Sequence, residues 1–170
     1  MEAWDAIAAR RNVREFPDEP ISPEHLDLIL EAARRTPSSR NRQAWDFVVV
    51  TDRDRLQALT GVWQGAWHVA GAAAAIVIVI PEEAEAGVHW LYYDAGQATM
   101  SILLAAAGLG VGCAHAAVRD QALAREVLGI PDGYLCAAML SLGYPADRPL
   151  RPIKKPNRRR FDEVIHRERW

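Results

Sequence analysis

The stretch LYYDAGQATMSILLAAAGLGVG, residues 91–112, decides the fold. Leu91, Ala95, Ala98, Ile102, Ala105 and Leu109 recur at helical spacing, and the positions between them are largely apolar or small as well. A helix that is apolar nearly all round must be covered on every side. The chain has 170 residues, enough for one core and short for two domains of ordinary size. Residues 1–170 are therefore expected to form a single domain, with this helix central to it or buried in part by a second copy, the latter being favoured. Gly108, Gly110 and Gly112 close the helix.

Working outward, Ala75-Ile76-Val77-Ile78-Val79-Ile80 reads as a buried strand, ended by Pro81 and an acidic linker at 82–85. Phe47-Val48-Val49-Val50 reads as another buried strand, and further strands are expected near 113–117 and over 135–142. Ser22 caps a helix with Pro23 in its first turn and Leu26, Ile29, Leu30 and Ala33 as its buried stripe, stopping near Thr36. Asp52 starts a helix through Leu56 and Leu59 that Gly61 closes, and Asp120 starts one that Gly129 stops. At the beginning, Trp4, Ile7 and Ala8 make a short amphipathic helix that ends in Arg10-Arg11-Asn12-Val13-Arg14. Pro145, Pro149, Pro152 and Pro156 keep the later chain extended, and Phe161, Val164 and Ile165 form a final apolar docking face with Trp170 beyond.

Twenty Lys+Arg against 22 Asp+Glu give a net charge of −2, and an apolar share of 50% excludes low-complexity disorder. The charge is uneven. Residues 151–170 hold eight basic and three acidic side chains, a net +5, which leaves −7 on the rest, and no Lys or Arg lies between Arg55 and Arg119. Something anionic is expected where the two basic ends meet. Cys113 and Cys136 lack C-x-x-C spacing and read as core thiols, and the histidines form no H-x-x-x-H or H-E-x-x-H pair, so no metal is expected. His115, in a glycine-flanked strand, is the histidine placed where a site could form. No basic-then-apolar leader opens the chain, and no apolar run approaches the ~20 residues of a membrane span. A cytoplasmic protein without membrane contact is expected. The glycines at 108, 110 and 112 are no dinucleotide fingerprint, because Cys113 stands at the third position and the order is helix then strand. They suit a helix end, and would also let a flat ligand lie on the backbone beside Ala114, Ala116 and Ala117.

Guanidinium groups bind phosphate through paired hydrogen bonds, and Ser and Asn add neutral donors. The Arg10–Arg14 cluster, the loop at 37–43 and the basic terminus around an uncharged middle point to a phosphate-bearing ligand with an apolar body. These segments resemble the FMN-dependent nitroreductase family. Residues 6–16, AIAARRNVREF, resemble its R-R-S-x-R opening, and residues 37–45, PSSRNRQAW, resemble its P-S-x-x-N-x-Q-P-W loop. Asp94-Ala95-Gly96 through Gly108-Leu109-Gly110 is similar to its central helix, and Leu128-Gly129-Ile130-Pro131 and Leu142-Gly143-Tyr144-Pro145 to its later landmarks. Asn12 stands for the usual Ser, Ala44 for the Pro of Q-P-W, and Arg160-Phe161 for a frequent Pro-Leu.

The resemblance implies an α+β fold, a sheet packed between helices, in an intertwined homodimer with FMN at the interface. By position, Arg10, Arg11 and Asn12 would hold the phosphate and ribityl side, joined by Arg158 or Arg159, and Arg14 would sit at the pyrimidine edge. Pro37, Ser38, Ser39 and Asn41 would approach from the other subunit, the backbone around Ala116 and Ala117 would face the reactive N5, and Gln64 would touch the ring edge. No catalytic side chain is implied, because the flavin carries the chemistry. The implied activity takes hydride from NADH or NADPH and reduces nitroaromatic or quinone-type acceptors by a ping-pong mechanism, at an open site because the chain is short for the family. The alternatives are a flavin enzyme of the same fold that desaturates or cleaves a specific metabolite, and flavin binding without turnover. Nucleic acid is not an expected partner, since the −7 body would repel a polyanion.

Overall fold

The computed structural model describes residues 2–82 and 85–170. Four strands, β1 (Asp46–Val50), β2 (Ala74–Pro81), β3 (Gly112–Ala116) and β4 (Tyr134–Gly143), form one antiparallel sheet in the order β1-β2-β4-β3. Alternation along the two central strands sorts their side chains into two layers. Ile76, Ile78 and Ile80 of β2, with Leu140 and Leu142 of β4, pack into a core with α2 (Pro23–Arg34) and α4 (Glu85–Gly108). Val77, Val79 and Met139 point the other way, against α3 (Arg53–Ala58), the 3₁₀ turns Leu59–Val62 and Gln64–Val69, and α5 (Gln121–Leu128). The expected α+β fold, with the sheet between helices, is the observed one.

The helix starts follow the sequence. Ser22 Oγ accepts from the His25 N–H at 3.2 Å, Asp52 Oδ1 from the Arg55 N–H at 3.0 Å, and Asp120 Oδ1 from the Leu123 N–H at 2.9 Å. Gly129 ends α5 in the left-handed region at φ +67°. Within α4, Leu91, Ala95, Ala98, Ile102, Leu103 and Ala106 are buried, while Trp90, Tyr92, Tyr93 and Met100 remain exposed on the opposite side. The chain therefore covers only part of this helix.

Three expectations change. β1 is an edge strand paired with β2 alone, so only Val50 is fully buried, and β-branched content by itself does not tell an edge from a centre. The helix from Asp52 ends at Ala58, and Leu59 reaches the core from a 3₁₀ turn. The last segment folds no further than the 3₁₀ turn Phe161–Glu163; residues 151–170 are exposed, with Phe161 at 70% and Trp170 at 99%, because no surface among the described residues covers that apolar face. The expected acidic linker at 82–85 falls in part on residues 83 and 84, outside the described residues.

Candidate functional site

After α1 (Ala3–Ala9), the chain runs along the free edge of β3. Asn12 bridges Cys113, and the Val13 N–H donates to the Cys113 carbonyl at 2.9 Å. Glycines make this approach possible. A Cβ on Gly112 would lie 2.7 Å from Val13 Cβ, and one on Gly143 would lie 2.6 Å from Phe16 Cδ1. The open backbone at Gly112 thus serves close packing of the chain on itself and is not left for a flat ligand. Gly110 answers a different need, a turn at φ +76°.

The three arginines of this segment differ in what they hold. Arg11 is largely buried; its Nη2 donates to Asp147 Oδ1 at 2.7 Å and to the Arg148 carbonyl at 2.8 Å, and its buried Nε meets no partner among the described residues. That guanidinium holds the Asp147 carboxyl below the usual carboxylate range. The Arg10 side chain makes one polar contact among the described residues, 3.5 Å to Asn12 Oδ1, and the Arg14 side chain makes none. Their charge still reaches the neighbouring strand and turn. Burial pushes the Cys113 thiol up to about 12, against the opposing pull of Arg10. Burial, with Arg10 adding to it, holds the exposed-side His115 imidazole below its ordinary range. Positive charge without a carboxylate partner, beside the orphaned Arg11 Nε, is chemistry suited to an anion. A groove of about 200 Å³ lies there, lined by Arg11, Asn12, Arg14 and Asp147 among others.

The Pro37-to-Gln43 loop is built against α4. Ser39 begins a 3₁₀ turn, Ser39–Asn41, and its N–H donates to both Asp94 carboxylate oxygens at 2.9 and 3.1 Å. Asp94 is only 4% exposed and also accepts from Gln97 Nε2 at 3.3 Å. Ser38 Oγ accepts from the Gln43 N–H at 2.9 Å, and Arg40, Asn41 and Gln43 all take positive φ. Pro37, Ser38 and Ser39 share a cavity of about 260 Å³ with Trp90 and Tyr93. That cavity includes none of the Arg10–Arg14 residues, and the groove beside Arg11 and Arg14 includes none of this loop.

Gln64 is exposed at the start of its 3₁₀ turn, and four residues later His68 is fully buried. His68 Nε2 lies 3.3 Å from the His115 carbonyl, which can only accept, so Nε2 carries the proton, and Nδ1 accepts from the Ser141 hydroxyl at 2.8 Å. Burial lowers the His68 pKa, opposed by that carbonyl bond and reinforced by Arg14. Ala116 is buried in the second core layer and Ala117 is exposed just past the strand. Arg158 Nη1 donates to the Asn157 carbonyl at 2.7 Å, and Arg159 donates to the Glu163 carbonyl at 2.9 Å and pairs with its carboxylate at 3.7 Å. Asp94 and His68 are the two groups that sequence reasoning missed; for Asp94 the signal was a lone carboxylate inside an apolar helix. Among the described residues there is no cluster of three or more His, Cys, Asp or Glu that could hold a metal, Cys113 and Cys136 are free, and no helix is long and apolar enough to cross a membrane.

The sequence matches a family model described as Nitroreductase family over residues 7–67 and 58–144. It is 36% identical to a "Putative NADH dehydrogenase/NAD(P)H nitroreductase" of Archaeoglobus fulgidus over 99% of each chain. It is 25% identical to an "FMN reductase [NAD(P)H]" of Bacillus subtilis, over 99% of this chain and 74% of that protein. A solved FMN-dependent nitroreductase from Clostridium difficile superposes with a TM-score of 0.85 at 28% identity, over 96% of this chain and 99% of that one.

Proposed function

The chain belongs to the nitroreductase family, and from that premise we propose that it is an FMN-dependent oxidoreductase that takes hydride from NADH or NADPH and reduces nitroaromatic or quinone-type acceptors by a ping-pong mechanism. The observation that carries the cofactor is the uncompensated charge of Arg10 and Arg14 beside the buried, unpartnered Arg11 Nε. A phosphate monoester is close to doubly charged at neutral pH and rewards such donors. Bound FMN would supply the redox chemistry, and the chain supplies position and charge.

In this reading Arg10, Arg11 and Asn12 hold the phosphate and ribityl side, joined by Arg158 or Arg159. Arg14 stands by the pyrimidine edge, where a fixed positive charge favours electron uptake. Gln64 and the backbone at Ala116 and Ala117 border the ring. The loop carrying Pro37, Ser38, Ser39 and Asn41 lines a cavity that includes none of the arginine segment; in this reading it serves a flavin held by a second copy, and the working unit is an intertwined homodimer of single-domain chains. The exposed apolar side chains of Trp90, Tyr93, Phe161 and Trp170 supply surface for that interface. An enzyme that consumes NAD(P)H and carries two free thiols suits the cytoplasm.

Oxygen-free mixing tests the activity. NADH or NADPH should bleach the flavin, a quinone or nitroaromatic should restore its colour, and initial-rate lines at several acceptor concentrations should run parallel. A flavin that neither nucleotide reduces would overturn the oxidoreductase reading.

A further inference from the structure

Gln64 and the backbone at Ala116 and Ala117 lie on two segments that are tied together on both sides of them. Val62 and His68 bracket Gln64 in the chain, and His115 and Arg119 bracket Ala116 and Ala117. At one end the N–H groups of Arg119 and Asp120 donate to the Val62 carbonyl at 3.2 and 3.0 Å. At the other end His68 Nε2 donates to the His115 carbonyl at 3.3 Å. The first tie joins backbone to backbone, and the second is made by one side chain. Backbone groups alternate in direction along a strand, and the Cys113 carbonyl, two residues earlier, faces the Val13 N–H on the free edge of β3. The His115 carbonyl therefore also turns away from β4, and His68 is the donor that meets it there.

His68 is itself fixed from behind. Its Nδ1 accepts from the Ser141 hydroxyl at 2.8 Å, and the two residues are 1% and 0% exposed. Only a neutral ring accepts at one nitrogen while it donates at the other, and burial, which lowers the His68 pKa, favours that form. We propose that His68 is a positioning residue for flavin reduction: by holding the His115 carbonyl it sets the spacing between Gln64 and the Ala116–Ala117 backbone, and so the seat of the reacting end of the ring. The inference rests on the proposed placement of the flavin ring beside those residues. His68 exchanges no proton or electron in the step and acts through the backbone it holds.

The test compares the natural chain with His68→Leu, His68→Gln and Ser141→Ala by two readouts: hydrogen exchange over residues 113–118 without added FMN, and oxygen-free single-turnover reduction of the FMN-loaded protein by NADH and by NADPH. Leucine supplies no donor, whereas a side-chain amide offers the same acceptor and donor pair as the neutral ring. His68→Leu should speed the exchange and lower the limiting reduction rate about tenfold, within the loss that a small misplacement of reacting groups brings. The nucleotide concentration at half-maximal rate and the retention of FMN, which rest on other groups, should not change. His68→Gln should recover both readouts. Ser141→Ala keeps His68 but frees its ring, so it should move both in the same direction by less, and it reads the tie even if His68→Leu does not fold. Natural exchange or a natural limiting rate in His68→Leu, an equal loss in His68→Gln, natural values in Ser141→Ala, or a lowered melting temperature alone would each overturn the assignment while leaving the oxidoreductase reading intact. A natural chain that neither nucleotide reduces would overturn that reading, and this role with it.

Discussion

Gly112 stands opposite Gly143 across β3 and β4, and Val13 and Phe16 fill the space that side chains at those two positions would need. The segment carrying Arg10, Asn12 and Arg14 is thus seated on the sheet by two missing Cβ atoms. Gly112→Ala would put a methyl 2.7 Å from Val13 Cβ and lift the segment. Overpacking of this kind costs about 1–3 kcal/mol. Denaturant titration should show that loss and absorbance a fall in retained flavin, whereas Gly108→Ala, with nothing within 4 Å, should do neither.

Asp94 holds the other half of the proposed site. Asp94→Ala leaves the Ser39 N–H without its acceptor, at a cost of about 1–3 kcal/mol, and frees the loop that begins at Pro37. Hydrogen exchange should accelerate at Ser39 and its neighbours while β2 stays protected, and flavin retention should fall with it.

Arg10 and Arg11 should separate by phenotype. Arg10→Ala removes a guanidinium that makes a single long contact within the chain, so it should weaken FMN retention and leave thermal stability near that of the natural protein. Arg11→Ala strands Asp147 and the Arg148 carbonyl, so it should lower the melting temperature as well. Equal flavin occupancy in Arg10→Ala and the natural protein would mean that the phosphate does not lie at Arg10.

The His68 pair predicts a pH dependence. Burial sets the folded pKa of His68 below its ordinary value of 6.5, so the unfolded chain takes up a proton first and stability must fall with falling pH. The contribution is complete above pH 6.5 and is lost progressively below it. Melting temperatures between about pH 8 and pH 5 should decline, and His68→Gln, which does not titrate in the range where His does, should flatten the decline. A slope unchanged by the substitution would assign it to other groups.

Much of this was legible in the sequence because it is local. Residues 75–80 alternate between two apolar faces, Ser22, Asp52 and Asp120 mark helix starts, and the arginines follow a helix end. What the sequence hid depends on partners far along the chain. His68 meets Ser141 across 73 positions and Ser39 meets Asp94 across 55, and neither spacing leaves a periodic trace. Edge placement of β1 and the exposure of the Phe161, Val164 and Ile165 face were hidden for a related reason: apolar patterning says that a face wants cover and is silent on whether the same chain provides it.

The central claim is that the arginine segment and the 37–43 loop bind FMN. The most direct measurement is the visible spectrum of the purified protein followed by identification of the flavin released on denaturation. The account predicts oxidised-flavin absorption and about one FMN per chain, one for each copy of the arginine segment. A colourless protein that takes up no added FMN would contradict it.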